Sequence, residues 1–199
     1  MQTNHRPARP HRRGLAPLAA AALALAALVA PVGLSSAEPP APTIPASVFT
    51  DTPAKDAKGV TETMRTAKKG ERVVVEATLG GRAEPFVRSR AVFVVADRAL
   101  KACGETGDHG CKTPWDYCCE PAERKKTGLA TIEIADKDGR ILKVSAQGAG
   151  GLEPLVRLVV EGTVREIDAK GLLVIRAERI HVVPADKPED RASPAPGGR

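Results

Sequence analysis

The sequence predicts a small all-β barrel of five to six strands, with a cysteine-rich loop between its second and third strands. Three observations lead there. Short β-branched and apolar runs recur between residues 68 and 184, separated by glycine-containing turn signals. No long helical period interrupts them. All four cysteines of the 199-residue chain lie in one connection, from Cys103 to Cys119.

The elements follow in order. Arg72 to Leu79 alternates, placing Val73, Val75, Ala77 and Leu79 on one face, and Gly80-Gly81 ends it. Ala91 to Ala96 is more continuously apolar, as a strand buried on both sides would be. Leu129 to Ala135 turns Ala130, Ile132 and Ile134 inward. Asp138-Gly139 is a hairpin signal, so Ile141 to Ser145 is predicted as a further strand. Gly148 to Pro154 breaks the pattern. Leu155 to Ile167 then opposes Val156, Leu158, Val160 and Val164 to Leu155, Arg157, Val159 and Glu161. A turn at Asp168-Ala169-Lys170-Gly171 leads to the last strand, Leu172 to Val183.

The flanks read differently. Residues 1–14 are basic and polar, Leu15 to Leu34 is apolar and uncharged, and Ser35-Ser36-Ala37 follows. That is the pattern of an export signal over residues 1–37 with a small-residue cleavage site, so a periplasmic or extracellular protein is expected. A membrane association follows only if the segment stays uncleaved. Arg12-Arg13 has twin-arginine character. Residues 38–67, opening Glu38-Pro39-Pro40-Ala41-Pro42, are predicted as a disordered spacer, and residues 185–199 as a disordered tail.

Charge and composition exclude some partners. The formal charge of +6 is concentrated in Arg6, Arg9, Arg12 and Arg13; without them, 26 basic residues face 24 acidic ones. A nearly balanced domain with five aromatics in the whole chain has neither the basic footprint nor the stacking platform of a nucleic-acid binder. No nucleophile–base pair or phosphate loop is visible, so no enzyme is predicted.

Three strands, a short connection and a terminal hairpin are the rhythm of an OB-fold. On Gly70-Glu71-Arg72-Val73-Val74-Val75, the second strand ending at Asp97, and Val160-Glu161-Gly162-Thr163-Val164, the stretch Gly70 to Val183 resembles an exported bacterial OB-fold domain. It departs from that pattern in having almost no helix between the third and fourth strands. Gly80-Gly81-Arg82, Pro85-Phe86-Val87 and Thr113-Pro114-Trp115-Asp116-Tyr117-Cys118-Cys119-Glu120 resemble a set of exported bacterial proteins. That resemblance implies a defining cysteine loop and carries no activity with it.

The loop has the spacing Cys103-x7-Cys111-x6-Cys118-Cys119 and also holds Asp108, His109, Lys112, Trp115, Asp116 and Tyr117. Two chemistries fit it. In an oxidising compartment four cysteines form two disulfides, Cys103 with Cys118 or Cys119 and Cys111 with the other, because adjacent residues pair only with strain. Four soft ligands, with His109 either replacing one cysteine or adding a fifth contact, also suit zinc, copper or an iron–sulfur cluster, although the spacing lacks the usual paired knuckles. Redox catalysis is the least supported, since no Cys-x-x-Cys is present. Trp115, Asp116 and Tyr117 are expected either to pack the loop on the barrel or to form a ligand-facing lip. Asp136-Lys137-Asp138-Gly139 reads as a turn and His181 as a surface strand residue. The predicted function is a binding or structural module of the cell envelope, stapled by disulfides, with a thiolate metal carrier as the alternative. Its partner is a small ligand, a metal or an envelope protein.

Overall fold

The structure is a computed structural model and describes residues 43–103 and 110–184. The predicted export segment, His109, Asp108 and the C-terminal tail lie outside the described residues.

Five strands close a barrel: β1 (Arg72–Leu79), β2 (Val92–Ala96), β3 (Leu129–Ile134), β4 (Arg157–Ile167) and β5 (Leu173–Val182), in the order β1-β2-β3-β5-β4. β1, β2 and β3 form an antiparallel meander. β5 then inserts between β3, to which it is parallel, and β4, to which it is antiparallel. β4 returns to β1 and completes the circuit, giving an OB-like barrel. The alternation read from the sequence gives the inner face. Val75, Ala77 and Leu79, Phe93 and Val95, Ala130, Ile132 and Ile134, Leu158, Val160 and Val164, and Leu173, Ile175 and Ile180 are all buried in one core.

Three expectations are corrected. The strand predicted over Ile141 to Ser145 is reduced to a single bridge between Ala135 and Ile141. β3 already pairs with β2 on one edge and β5 on the other, so no edge remains for a sixth strand. Residues 43–67, predicted as part of a disordered spacer, are packed. Ala46–Val48 form a 3₁₀ turn, Phe49 bridges Ile180, and Lys58 bridges Val75. Helix α1 (Val60–Thr66) then buries Val60 completely in the barrel core. The third correction is α2 (Ala122–Gly128), a helix between β2 and β3 in a region read only as loop.

An ion cluster sits on the opposite face of β4. Glu161 is 7% exposed and accepts hydrogen bonds from Arg179, with Nε at 2.9 Å, and from Arg72. Arg72 also pairs with Glu178 at 2.9 Å. Glu178 stands at a register shift where Arg179 faces Glu161 and Ala177 faces Gly162. The bulge requires Gly162, because a Cβ there would lie 2.2 Å from the Arg176 carbonyl oxygen.

The hydrogen bonds from Arg179 hold the Glu161 carboxyl below its ordinary value of 4.5, overcoming the opposing push of burial, and Arg72 adds to the effect. A lowered carboxyl stabilises the fold above its ordinary value and loses that contribution as pH falls through the lowered value. Glu161→Gln should therefore cost about 1–2 kcal/mol at neutral pH, a modest figure because both arginines are more than half exposed. It should also flatten the acid limb of stability. Denaturant unfolding of both proteins as a function of pH measures each effect.

Candidate metal centre

The site is built where the chain leaves β2. Asp97, 6% exposed, turns it: one carboxylate oxygen accepts the Ala99 N–H at 2.8 Å and the other accepts the Thr61 N–H of α1 at 2.7 Å. Leu100 and Ala102 follow into a small second core with Ala96 and Tyr117, against which Leu129 packs. This places Cys103, 1% exposed, at the floor of the loop. Glu120 fastens the far end, accepting the Lys101 N–H at 2.7 Å and pairing with Arg124 of α2 at 2.9 Å. Pro121 opens α2, with Glu123 in its first turn and Lys125 and Lys126 in its last, as the helix dipole favours.

The returning segment is shaped by one acid. Pro114–Asp116 form a 3₁₀ turn. Asp116 accepts the Thr113 hydroxyl at 2.9 Å on one oxygen and the Cys118 N–H at 2.8 Å on the other. Between them Tyr117 adopts the left-handed conformation, φ 55°, which turns the backbone. The adjacent sulfurs of Cys118 and Cys119 lie 3.8 Å apart.

The loop is seated on a glycine pair. The Trp115 carbonyl accepts the Gly81 N–H at 2.7 Å, and the Trp115 indole donates to the Ala83 carbonyl at 3.0 Å. A Cβ at Gly80 would fall 2.6 Å from the Trp115 carbonyl oxygen. Of the three residues expected either to pack the loop or to form a lip, Tyr117 is 2% exposed and packs into the second core. Trp115 is half-buried and held at the rim by its indole bond, while Asp116 faces the cysteines.

Four groups converge. One ligand atom each from Cys103, Cys111, Cys118 and Asp116 lies within 4.8 Å of all the others. Cys103 Sγ is 3.2 Å from Cys118 Sγ and 3.5 Å from Asp116 Oδ1, and Cys111 Sγ is 3.7 Å from Cys118 Sγ. No disulfide joins any of the four cysteines. Cys119 neighbours Cys118 but stands outside the converging set. Burial pushes the Cys103 thiol up, yet the N–H of Cys119, the thiols of Cys118 and Cys111 and the N–H of Cys118 outweigh it and hold it below its ordinary value. Cys118 moves the opposite way, chiefly through its contact with Cys103. Burial likewise raises Asp116, but the Cys118 N–H and Thr113 hydroxyl prevail and lower it. Loss of the proton is thus eased at Cys103 and Asp116 and opposed at Cys118.

Comparison with protein-family models, curated proteins and solved structures finds no match to this chain. The site therefore rests on its own geometry. In sequence, Asp116 is placed with Trp115 and Tyr117, and not in the cluster of ligands. The sequence sets Gly80-Gly81 and Glu120 beside the cysteine motif only through the resemblance, and neither is read there as a support for the cysteines.

Gly80→Ala should displace the loop, since Gly80 has φ 153° as well as the close carbonyl. The expected loss is about 1–3 kcal/mol of stability. Trp115 is the only tryptophan, so its fluorescence should shift to the red as the indole loses its seat.

Proposed function

We propose that this chain is an exported OB-like binding module whose β2–β3 connection holds one soft metal ion, zinc in the first instance, through Cys103, Cys111, Cys118 and Asp116. One observation carries the reading: the spacing of the ligand atoms. Zinc–sulfur bonds of about 2.3 Å place tetrahedral sulfurs about 3.8 Å apart, and a zinc-bound carboxylate oxygen lies about 3.5 Å from them. The corresponding separations here are 3.2 and 3.7 Å between sulfurs and 3.5 Å from sulfur to oxygen. A disulfide requires about 2.0 Å.

Three thiolates and a carboxylate fill four positions and leave none open, which is the pattern of a structural rather than a catalytic ion. The ion would neutralise the clustered charge and fix a rim loop that has little apolar packing of its own. The rigid loop and the neighbouring barrel face then form the recognition surface, as in other barrels of this kind. The exported location is supported by the signal-like residues 1–37. Stapling by disulfides is the second reading, favoured by the short approach of Cys103 to Cys118.

The test is metal uptake by the reduced full chain. About one equivalent of zinc should survive dialysis, and stripping it with a chelator should lower the melting temperature. Cys111→Ser should lose the ion and Cys119→Ser should keep it. Reduced protein that takes up no zinc, or a Cys111→Ser variant that retains it, contradicts the assignment.

A further inference from the structure

We infer that this metal centre is redox-gated: a small-molecule disulfide oxidises Cys103 and Cys118 to an intramolecular disulfide and so expels the ion. The inference rests on the metal-binding reading above and adds its regulation.

The four thiols are graded in exposure. Cys103 is 1% exposed, Cys111 half-buried, and Cys118 and Cys119 exposed. An oxidant from solution therefore meets Cys118 and cannot meet Cys103. Cys118 is also the hub, with its sulfur 3.2 Å from Cys103, 3.7 Å from Cys111 and 3.8 Å from Cys119. Among these, Cys103 needs the smallest displacement to reach the bonding distance of about 2.0 Å. A Cys118–Cys119 bond would close a strained ring between adjacent residues.

The chemistry is two thiol–disulfide exchanges. Cys118, which the ion would hold in its thiolate form, attacks one sulfur of the oxidant. A mixed disulfide forms, the oxidant's own S–S bond breaks, and one small thiolate departs. The Cys103 thiolate then attacks the Cys118 sulfur, forming the intramolecular bond and releasing the second small thiolate. Two protein thiolates are oxidised and one small disulfide is reduced. The ion loses two of its four ligands together, leaving only Cys111 and Asp116, a pair too few to retain it. Reduction restores both thiolates and the site. The same loop is thus metal-held under reducing conditions and disulfide-held under oxidising ones.

The experiment treats zinc-loaded full chain with oxidised glutathione. Zinc release is followed with a chromogenic chelator, and the products are identified by intact mass and peptide mapping. One zinc should leave for each loss of two hydrogens, and the map should join Cys103 to Cys118. Cys119→Ser should release zinc at a rate within about twofold of the parent. Cys103→Ser should stop at a persistent glutathione adduct on Cys118, which is read by mass whether or not that variant binds zinc. Zinc that stays bound in excess oxidant overturns the gating and leaves the metal reading intact, as does release with a Cys118–Cys119 or Cys111–Cys118 linkage. Protein that takes up no zinc before oxidant is added overturns the metal reading, and the gating with it.

Discussion

A five-stranded closed barrel leaves little spare edge, and much of this molecule follows from that constraint. β1 is shared between β4 and β2, and β3 between β2 and β5. Most strand edge is satisfied within the circuit, and the stretches left over are short: Lys58 takes the edge of β1 at Val75, and Phe49 that of β5 at Ile180. Ile141 makes one bridge, and Leu142 donates to the Ile134 carbonyl and accepts the Ala91 N–H. The N-terminal segment binds through isolated bridges and a single helix. The β2–β3 connection can only leave β2, build structure of its own, and return through α2 directly into β3.

That connection has little to build with. Its core consists of Ala96, Leu100, Ala102 and Tyr117, with Leu129 from β3 beside them. So small a core cannot by itself order a long loop. Acidic side chains supply the rest, two of them buried. Asp97 and Glu120 satisfy backbone N–H groups at the two ends, and Asp116 does so in the middle. The glycine pair after β1 lets the Trp115 backbone come close enough for a direct hydrogen bond to the barrel. The result is a convergence of three sulfurs and a carboxylate in one small space. The metal reading and the redox inference both start from this crowding, and they treat the same short sulfur contacts as coordination edges in one state and as an incipient bond in the other.

Much of the barrel was legible because period-2 alternation reports burial directly. Val75, Ala77 and Leu79, and likewise Ala130, Ile132 and Ile134, point inward as the pattern requires. The bulge at Glu178 interrupts the alternation of β5 without hiding the strand. What escaped has physical reasons. The segment from residue 43 to 67 has the composition of a linker, and its order comes from distant contacts such as Phe49 with Ile180. No local period encodes such contacts. Helix α2 carries readable end signals in Pro121, Glu123, Lys125 and Lys126, but it is polar nearly all round and Gly128 is its one buried residue. The cysteines announced a site without its membership. Their spacing lacks paired knuckles, and the left-handed Tyr117 that gathers Cys118 toward Cys103 and Cys111 is a backbone state seldom taken by a tyrosine. Asp116 reads in sequence as a turn former, and it is one, while its remaining coordinating capacity becomes evident only beside the sulfurs.

The most direct measurement is X-ray absorption at the zinc edge of the reduced, zinc-loaded full chain. The account predicts a first shell of three sulfurs at about 2.3 Å and one oxygen at about 2.0 Å. A shell made only of oxygen or nitrogen would contradict it, because an ion so bound would be held elsewhere than by the converging cysteines.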